Sequence, residues 1–287
     1  MLDPISTNVE WFEACNFPEY LKVIKEREEY HKFQYRSYSE FLNAGYLKEN
    51  FKTIIVAVID YFFSNEYERN GFKLSNYSRF CWQTVIPKEN AIIHLLKNMG
   101  YTAEKLDLPA RAAACKSGLG FIGKNCMFYG YDLGSYVGIL MIGTDLDLKQ
   151  ENRGEEHVAG PVCRTCNKCI KACPMNAIYP EGYRINPFKC ISFINRHIEE
   201  PHKEIPKDFL KLDNWLHGCE VCQDICPLNT KIKHKKEVVF LPEINLYGMK
   251  VPNANTVSKE VLIGELGNIK SLEYKKYVNK LLEGKKR

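Results

Sequence analysis

Eight of the twelve cysteines in this chain lie between Cys163 and Cys226, and their spacing is that of metal-cluster chemistry. Residues 163 to 174 read C-R-T-C-N-K-C-I-K-A-C-P. Three thiolates at x2 spacing can wrap one cube of iron and sulfide. The fourth, Cys173, is carried away by the chain and in two-cluster domains ligates the other cube. A complementary set follows, with Cys190 alone and then Cys219, Cys222 and Cys226-Pro227 as C-x2-C-x3-C-P. Reciprocal exchange predicts Cys163, Cys166, Cys169 and Cys226 on one 4Fe-4S cluster and Cys173, Cys190, Cys219 and Cys222 on the other. Zinc also takes four thiolates, but usually from two separated pairs, so the triple followed by x3-C-P argues for iron-sulfur. Each closing proline fixes the backbone and removes a donor beside the cluster.

The elements that must position these ligands belong to a chain of 287 residues, 45% hydrophobic and 26% charged, long enough for two domains. The longest apolar stretches fall short of the ~20 residues of a membrane span. The first residues lack the basic start and apolar core of a signal peptide, so the expected location is the cytoplasm, where cysteines hold metal in preference to forming disulfides. An electron carrier alone has no use for the first half of the chain. There the β-branched run Lys52 to Asp60 predicts a buried central strand. Asn90 to Met99 has helical spacing that stops at Gly100, Pro109 to Ser117 predicts an alanine-rich helix, and Ser135 to Gly143 a second buried strand. The predicted class is α+β: a mixed α/β cofactor-binding domain (1-158), a bacterial-ferredoxin-like two-cluster domain (159-230) and a basic C-terminal extension (231-287) packing on the body. The stretch Tyr179 to His217 exceeds a minimal two-cluster module and holds an apolar helix near Ile191 to Ile198.

Gly118-Leu-Gly-Phe-Ile-Gly123 matches G-x-G-x-x-G, but a dinucleotide fingerprint follows a strand and opens a helix. Here the preceding residues read as helix, so the glycines serve a tight turn or a close backbone approach. Glu155-Glu-His157-Val-Ala-Gly160 approximates D-x-H-x-x-G and reads as a loop histidine. Cys81, Cys115 and Cys126 read as small buried hydrophobes, and His217 stands beside the second cysteine motif.

Ser117-Gly-Leu-Gly-Phe-Ile-Gly-Lys-Asn125, Gly134-Ser-Tyr136 and Gly143-Thr-Asp-Leu-Asp-Leu148 are joined by the eight-cysteine pattern with Cys190-Ile-Ser-Phe193 and Gly218-Cys-Glu-Val-Cys-Gln-Asp-Ile-Cys-Pro227. Together, over roughly residues 30 to 245, they resemble the epoxyqueuosine reductase family, which is related to reductive dehalogenases. The resemblance implies cobalamin beside two 4Fe-4S clusters and reduction of an epoxide on a modified tRNA base. It implies cofactor contacts from Tyr77, Gly118, Gly120, Lys124, Asn125, Gly134, Ser135 and Tyr136. The position of the family's proton donor, 14 residues before the first Gly of its G-L-G, holds Glu104, and Asp107 with Pro109 follows closely, so Asp107 or Glu104 is the expected catalytic acid. Ser75-Asn-Tyr77 corresponds to the family's S-R-Y segment, without the aspartate-tyrosine-histidine triplet that follows it there.

Residues 228 to 287 carry thirteen Lys or Arg against six Asp or Glu, whereas the whole chain has a formal charge of +5. Lys231, Lys233, Lys235, Lys236, Lys285, Lys286 and Arg287 are candidate phosphate contacts for tRNA. The expected electron source is an external low-potential donor such as ferredoxin or flavodoxin. The alternative is a two-cluster electron-transfer protein without cobalamin.

Overall fold

The computed structural model describes the backbone of residues 11–16 and residues 51–62, 71–106, 110–148, 161–196, 214–232, 243–252 and 256–284. Among the described residues the strands are β1 (Trp11–Asn16), β2 (Thr53–Asp60), β3 (Phe72–Leu74), β4 (Ala103–Lys105), β5 (Gly120–Ile122), β6 (Phe128–Gly130), β7 (Val137–Thr144), β8 (Trp215–His217), β9 (Glu243–Leu246), β10 (Met249–Pro252) and β11 (Thr256–Val257). The α-helices are α1 (Trp82–Asn98), α2 (Ala110–Lys116), α3 (Pro161–Thr165), α4 (Lys168–Ala172), α5 (Ile191–Arg196), α6 (Val221–Asp224), α7 (Pro227–Thr230), α8 (Lys259–Glu265) and α9 (Leu272–Gly284). No helix among the described residues is long and apolar enough to cross a membrane.

The chain divides into two units, one of residues 1–60, 84–123 and 127–164, the other of residues 61–83, 124–126 and 165–287. Two short early segments, 61–83 and 124–126, group with the later half of the chain. The C-terminal stretch likewise shares a unit with most of the cysteines.

The first unit is built on an antiparallel sheet of order β1-β2-β7-β4. The predicted central strand is β2, paired along its whole length with β7 from Thr53↔Thr144 to Asp60↔Val137. Its seven residues from Thr53 to Ile59 are all buried, which explains why the run is continuously apolar instead of alternating. Ile54, Val56 and Val58 pack with Ala113, Ala114 and Cys115 of α2, whose small side chains let the helix sit close to the sheet. Helix α1 begins eight residues ahead of the predicted Asn90. Pro87 lies inside it, where it removes one ladder hydrogen bond without ending the helix.

The second unit has β3 between β11 (antiparallel) and β8 (parallel), together with the hairpin β9–β10. Its core joins Phe72 and Leu74 of β3, Trp215 and Leu216 of β8 and Ile191 and Ile194 of α5 to Leu262 of α8 and to Tyr274, Tyr277, Val278 and Leu281 of α9. The predicted helix near Ile191 to Ile198 is α5, described as far as Arg196. A five-residue π-helix, Tyr77–Cys81, leads into α1.

Candidate metal centre

The cysteine motifs fold as short helices punctuated by extended ligand residues. Cys163 lies on α3 and Cys169 on α4. Cys173 ends α4 with φ −65° and ψ 112°, and Cys226 precedes α7 with φ −75° and ψ 122°. Pro227 takes the first position of α7, where a missing N–H costs nothing because helix starts leave those donors unbonded anyway. Cys190 stands between a 3₁₀ turn, Pro187–Lys189, and α5.

Burial pushes the Cys190 thiol up from the ordinary range, with the neighbouring Cys173 adding to the shift. Burial does the same to Cys219, to which Cys190 and Cys173 contribute. Cys222 is raised most plainly by burial and then, in decreasing order, by Cys219, Cys190, Cys173 and Cys169. Cys222 therefore lies close enough to Cys169, Cys173, Cys190 and Cys219 to feel their charge. Crowded thiols of this kind need a cationic guest before they can all ionise, and binding it releases their protons. Backbone N–H groups already point at the sulfurs: Ala177 N donates to Cys173 Sγ at 3.2 Å, and Phe193 and Ser192 donate to Cys190 and Val221 to Cys219. Such donors favour thiolate sulfur and tune a cluster's potential. The donor set thus fits 4Fe-4S clusters. Among the described residues no three His, Cys, Asp or Glu side chains gather closely enough to hold a single metal ion.

Amide side chains and one buried carboxylate tie down the cysteine loops. Lys124 is buried, and its Nζ donates to Asn167 Oδ1 at 2.8 Å, inside the Cys166-to-Cys169 turn. Asn167 caps α4 by position, yet its side chain makes no cap hydrogen bond, so its carbonyl serves Lys124. Asn125 Nδ2 donates to the carbonyl of Cys222 at 3.3 Å. Glu220, fully buried between Cys219 and Val221, accepts from Asn76 Nδ2 at 2.8 Å and from the backbone N–H of Tyr77 at 3.2 Å. The Tyr77 ring lies under the Arg196 guanidinium, 4.7 Å from its centroid. Burial raises the Tyr77 phenol, with Cys81 adding and Arg196 opposing. His217 Nδ1 bonds Ser78 Oγ at 2.7 Å, and Ser78 Oγ bonds Ser75 Oγ at 2.6 Å. Gly218 needs its φ of +73°, and a Cβ there would stand 2.0 Å from Ser75 Oγ.

Tyr77, Lys124 and Asn125, expected at a cofactor, thus fall in the second unit, where they hold the cysteine loops. The other expected contacts fall in the first unit. Gly118, with φ of +74°, ends α2, and Gly120 opens the β5–β6 hairpin opposite Gly130. A Cβ on Gly120 would stand 2.0 Å from the Tyr129 carbonyl, so this glycine serves close backbone approach, and the G-x-G-x-x-G run opens a hairpin and no helix. Gly134 closes back on Gly130 through two backbone hydrogen bonds, and Ser135 and Tyr136 after it are buried. The Ser117 hydroxyl at the head of this segment is buried with no hydrogen-bond partner among the described residues, a group with capacity to bind a polar ligand.

Glu104 lies on β4 opposite Gly143, half-buried. Asp107, Pro109, His157, Lys233, Lys235, Lys236, Lys285, Lys286 and Arg287 lie outside the described residues, while Lys231 is exposed at the end of α7. Cys81 and Cys115 are buried and Cys126 is half-buried. Reading by motif passed over Asn76, Asn167, Asn195 and Glu220. Asn167 and Glu220 were signalled by lying between cluster cysteines, whereas Asn76 and Asn195 carried no local mark.

Residues 162–229 match the 4Fe-4S double cluster binding domain. The epoxyqueuosine reductase of Cyclobacterium marinum is 38% identical over 137 residues, which are 47% of this chain and 42% of that protein. The alignment therefore spans less than half of that relative. A crystal structure of selenomethionine-labelled epoxyqueuosine reductase superposes with a TM-score of 0.65 at 21% identity, covering 97% of this chain and 78% of the other. A crystal structure of epoxyqueuosine reductase with a tRNA-Tyr epoxyqueuosine-modified tRNA stem loop gives a TM-score of 0.61 at 18% identity, covering 97% and 77%. The chain is similar to the epoxyqueuosine reductases in sequence, shares their fold, and carries a double 4Fe-4S cluster binding domain.

Proposed function

We propose that this chain is an iron-sulfur oxidoreductase that draws electrons through two 4Fe-4S clusters to a cobalamin and reduces the epoxide of epoxyqueuosine in tRNA or a related compound. The observation that carries the reading is the match of residues 162–229, which hold all eight clustered cysteines, to a double 4Fe-4S cluster binding domain. Cys163, Cys166, Cys169 and Cys226 are assigned to the first cluster, and Cys173, Cys190, Cys219 and Cys222 to the second. Reducing an epoxide takes two electrons and two protons, and two one-electron centres meet the first requirement.

Cobalamin, when bound, supplies the low-potential metal that a bare cluster cannot bring to carbon. The chain's own groups hold it, orient it and move protons. Tyr77, Gly118, Gly120, Lys124, Asn125, Gly134, Ser135 and Tyr136 are its proposed contacts, and the Ser117 hydroxyl, buried with no hydrogen-bond partner among the described residues, is suited to an amide of its periphery. Glu104 or Asp107 delivers a proton to the substrate oxygen. The resemblance to a relative solved with a modified tRNA stem loop supports tRNA as the substrate carrier, with the basic C-terminal residues as its contacts. A small ferredoxin or flavodoxin in the cytoplasm is the proposed donor.

Anaerobic reconstitution followed by an EPR titration of cob(II)alamin tests this. Loss of the lower-axial nitrogen splitting at stoichiometric protein is the expected result. About eight irons per chain with a spectrum that stays that of free cobalamin would instead make the chain a two-cluster electron carrier.

A further inference from the structure

Resting on the cluster reading, a second role falls to the C-terminal helix. Strand β8 runs Trp215-Leu216-His217 into Gly218 and then Cys219, and each of its successive carbonyls has a dedicated donor. Tyr277 Oη donates to Trp215 O at 2.5 Å, and Tyr274 Oη donates to Leu216 O at 3.2 Å. Ser75 N and Ser78 Oγ donate to His217 O at 3.1 and 3.2 Å. Asn195 Nδ2 donates to Gly218 O at 3.0 Å while its Oδ1 accepts from Gly218 N at 2.9 Å.

Asn195, Tyr274, Tyr277 and Leu216 are completely buried. A strand ladder would satisfy these carbonyls with backbone N–H groups. Among the described residues β8 pairs with the short β3, and side chains supply the further donors named above. The donors come from three places: the Ser75–Ser78 turn, helix α5, which begins one residue after Cys190, and α9 at the end of the described chain. Burial also holds the two phenols above their ordinary range, so both stay protonated donors.

We infer that Tyr274 and Tyr277 of α9, with Asn195 of α5, are positioning residues that set the backbone of Cys219 and thereby the geometry of the second cluster. The C-terminal helix is therefore part of the electron path's scaffold, whatever else its basic neighbours contact. Asn195 ties together the carriers of two ligands of one cluster, Cys190 and Cys219, which otherwise depend on separate segments of chain.

The test uses the full chain with reconstituted clusters and the double variant Tyr274→Phe/Tyr277→Phe, which keeps both rings in the core and removes only the hydroxyls. Iron release to a chelator is followed together with the EPR lineshape of each reduced cluster, the second being assigned by its loss in Cys222→Ala. With two buried hydrogen bonds gone, half of the iron should leave on the order of tenfold faster, the other half at the wild-type rate, with a changed lineshape for the second cluster alone. Each single variant should show a smaller change of the same kind. Equal acceleration of both halves, or unchanged release and lineshape, overturns the inference. A wild-type chain that takes up no second cluster overturns the cluster reading and this inference with it.

Discussion

Replacing Lys124 by Met removes a buried positive charge from the loop of the first cluster and should lower that cluster's reduction potential. The sign follows from electrostatics: reduction adds an electron to an already anionic centre, a nearby cation stabilises the added charge, and its loss makes reduction harder. Lys124 Nζ sits 2.8 Å from Asn167 Oδ1, and Asn167 follows Cys166 directly and precedes Cys169 by two residues. Asn167 is one Cα step of about 3.8 Å from Cys166, and a separation on the order of 9 Å between the charge and a cluster held by those cysteines is taken for the scale of the effect. At an effective dielectric of about 20, unit charges at that distance interact by about 2 kcal/mol. With 59 mV and 1.4 kcal/mol both equal to a factor of ten for one electron, that is roughly 80 mV. Residual solvent screening at a residue 9% exposed brings the expected shift to roughly 40–80 mV. The assay is an EPR-monitored redox titration of both clusters in wild type, Lys124→Met and Lys124→Arg. The expected result is a negative shift confined to the first cluster in Lys124→Met and a smaller one in Lys124→Arg, which keeps the charge but not the hydrogen-bond geometry. An unchanged potential, a positive shift, or equal shifts in both clusters would refute the reasoning.

Gly120→Ala should destabilise the first unit by about 2 kcal/mol or more in a denaturant titration, because the new Cβ meets the Tyr129 carbonyl backbone at 2.0 Å and neither strand of the hairpin can yield cheaply. Cys222→Ser should reduce the reconstituted iron from about eight to about four per chain by chemical iron analysis, with the remaining cluster still reducible. The metal-free chain should lose stability as pH rises. Cys190, Cys219 and Cys222 have folded pKa values raised above their unfolded ones, so the unfolded chain releases their protons first. Their contribution is fully present below the ordinary thiol pKa of about 8.5 and is lost above it, by up to about 1.4 kcal/mol per pH unit for each thiol. Melting temperatures between about pH 8 and pH 10 should fall for the metal-free chain and stay flatter for the cluster-loaded one, whose thiolates no longer titrate.

What the amino-acid order determined by itself was the chemistry that depends on local spacing. Cysteine runs of x2 and x3 are set by the reach of a few residues around a cube of iron and sulfide, and so were legible without a fold. The strand β2 was legible for a similar reason, since seven successive buried positions require an unbroken apolar run, and α2 announced itself by its alanines. The start of α1 was hidden by Pro87, because proline reads as punctuation unless tertiary packing carries the helix through it.

Only the tertiary structure decided which distant segments support the cysteines. Asn76 reaches Glu220 across 144 positions of chain, Lys124 reaches Asn167 across 43, and Tyr277 reaches Trp215 across 62. No periodicity marks an asparagine or tyrosine as the partner of one particular carbonyl, since the same residues in the same local pattern would equally well face solvent. Buried polar groups take partners wherever folding puts them. The segments 61–83 and 124–126 show the consequence. Their contacts fall with the later half of the chain, where Asn76 and Tyr77 donate to the buried carboxylate of Glu220 and Asn125 donates to the carbonyl of Cys222.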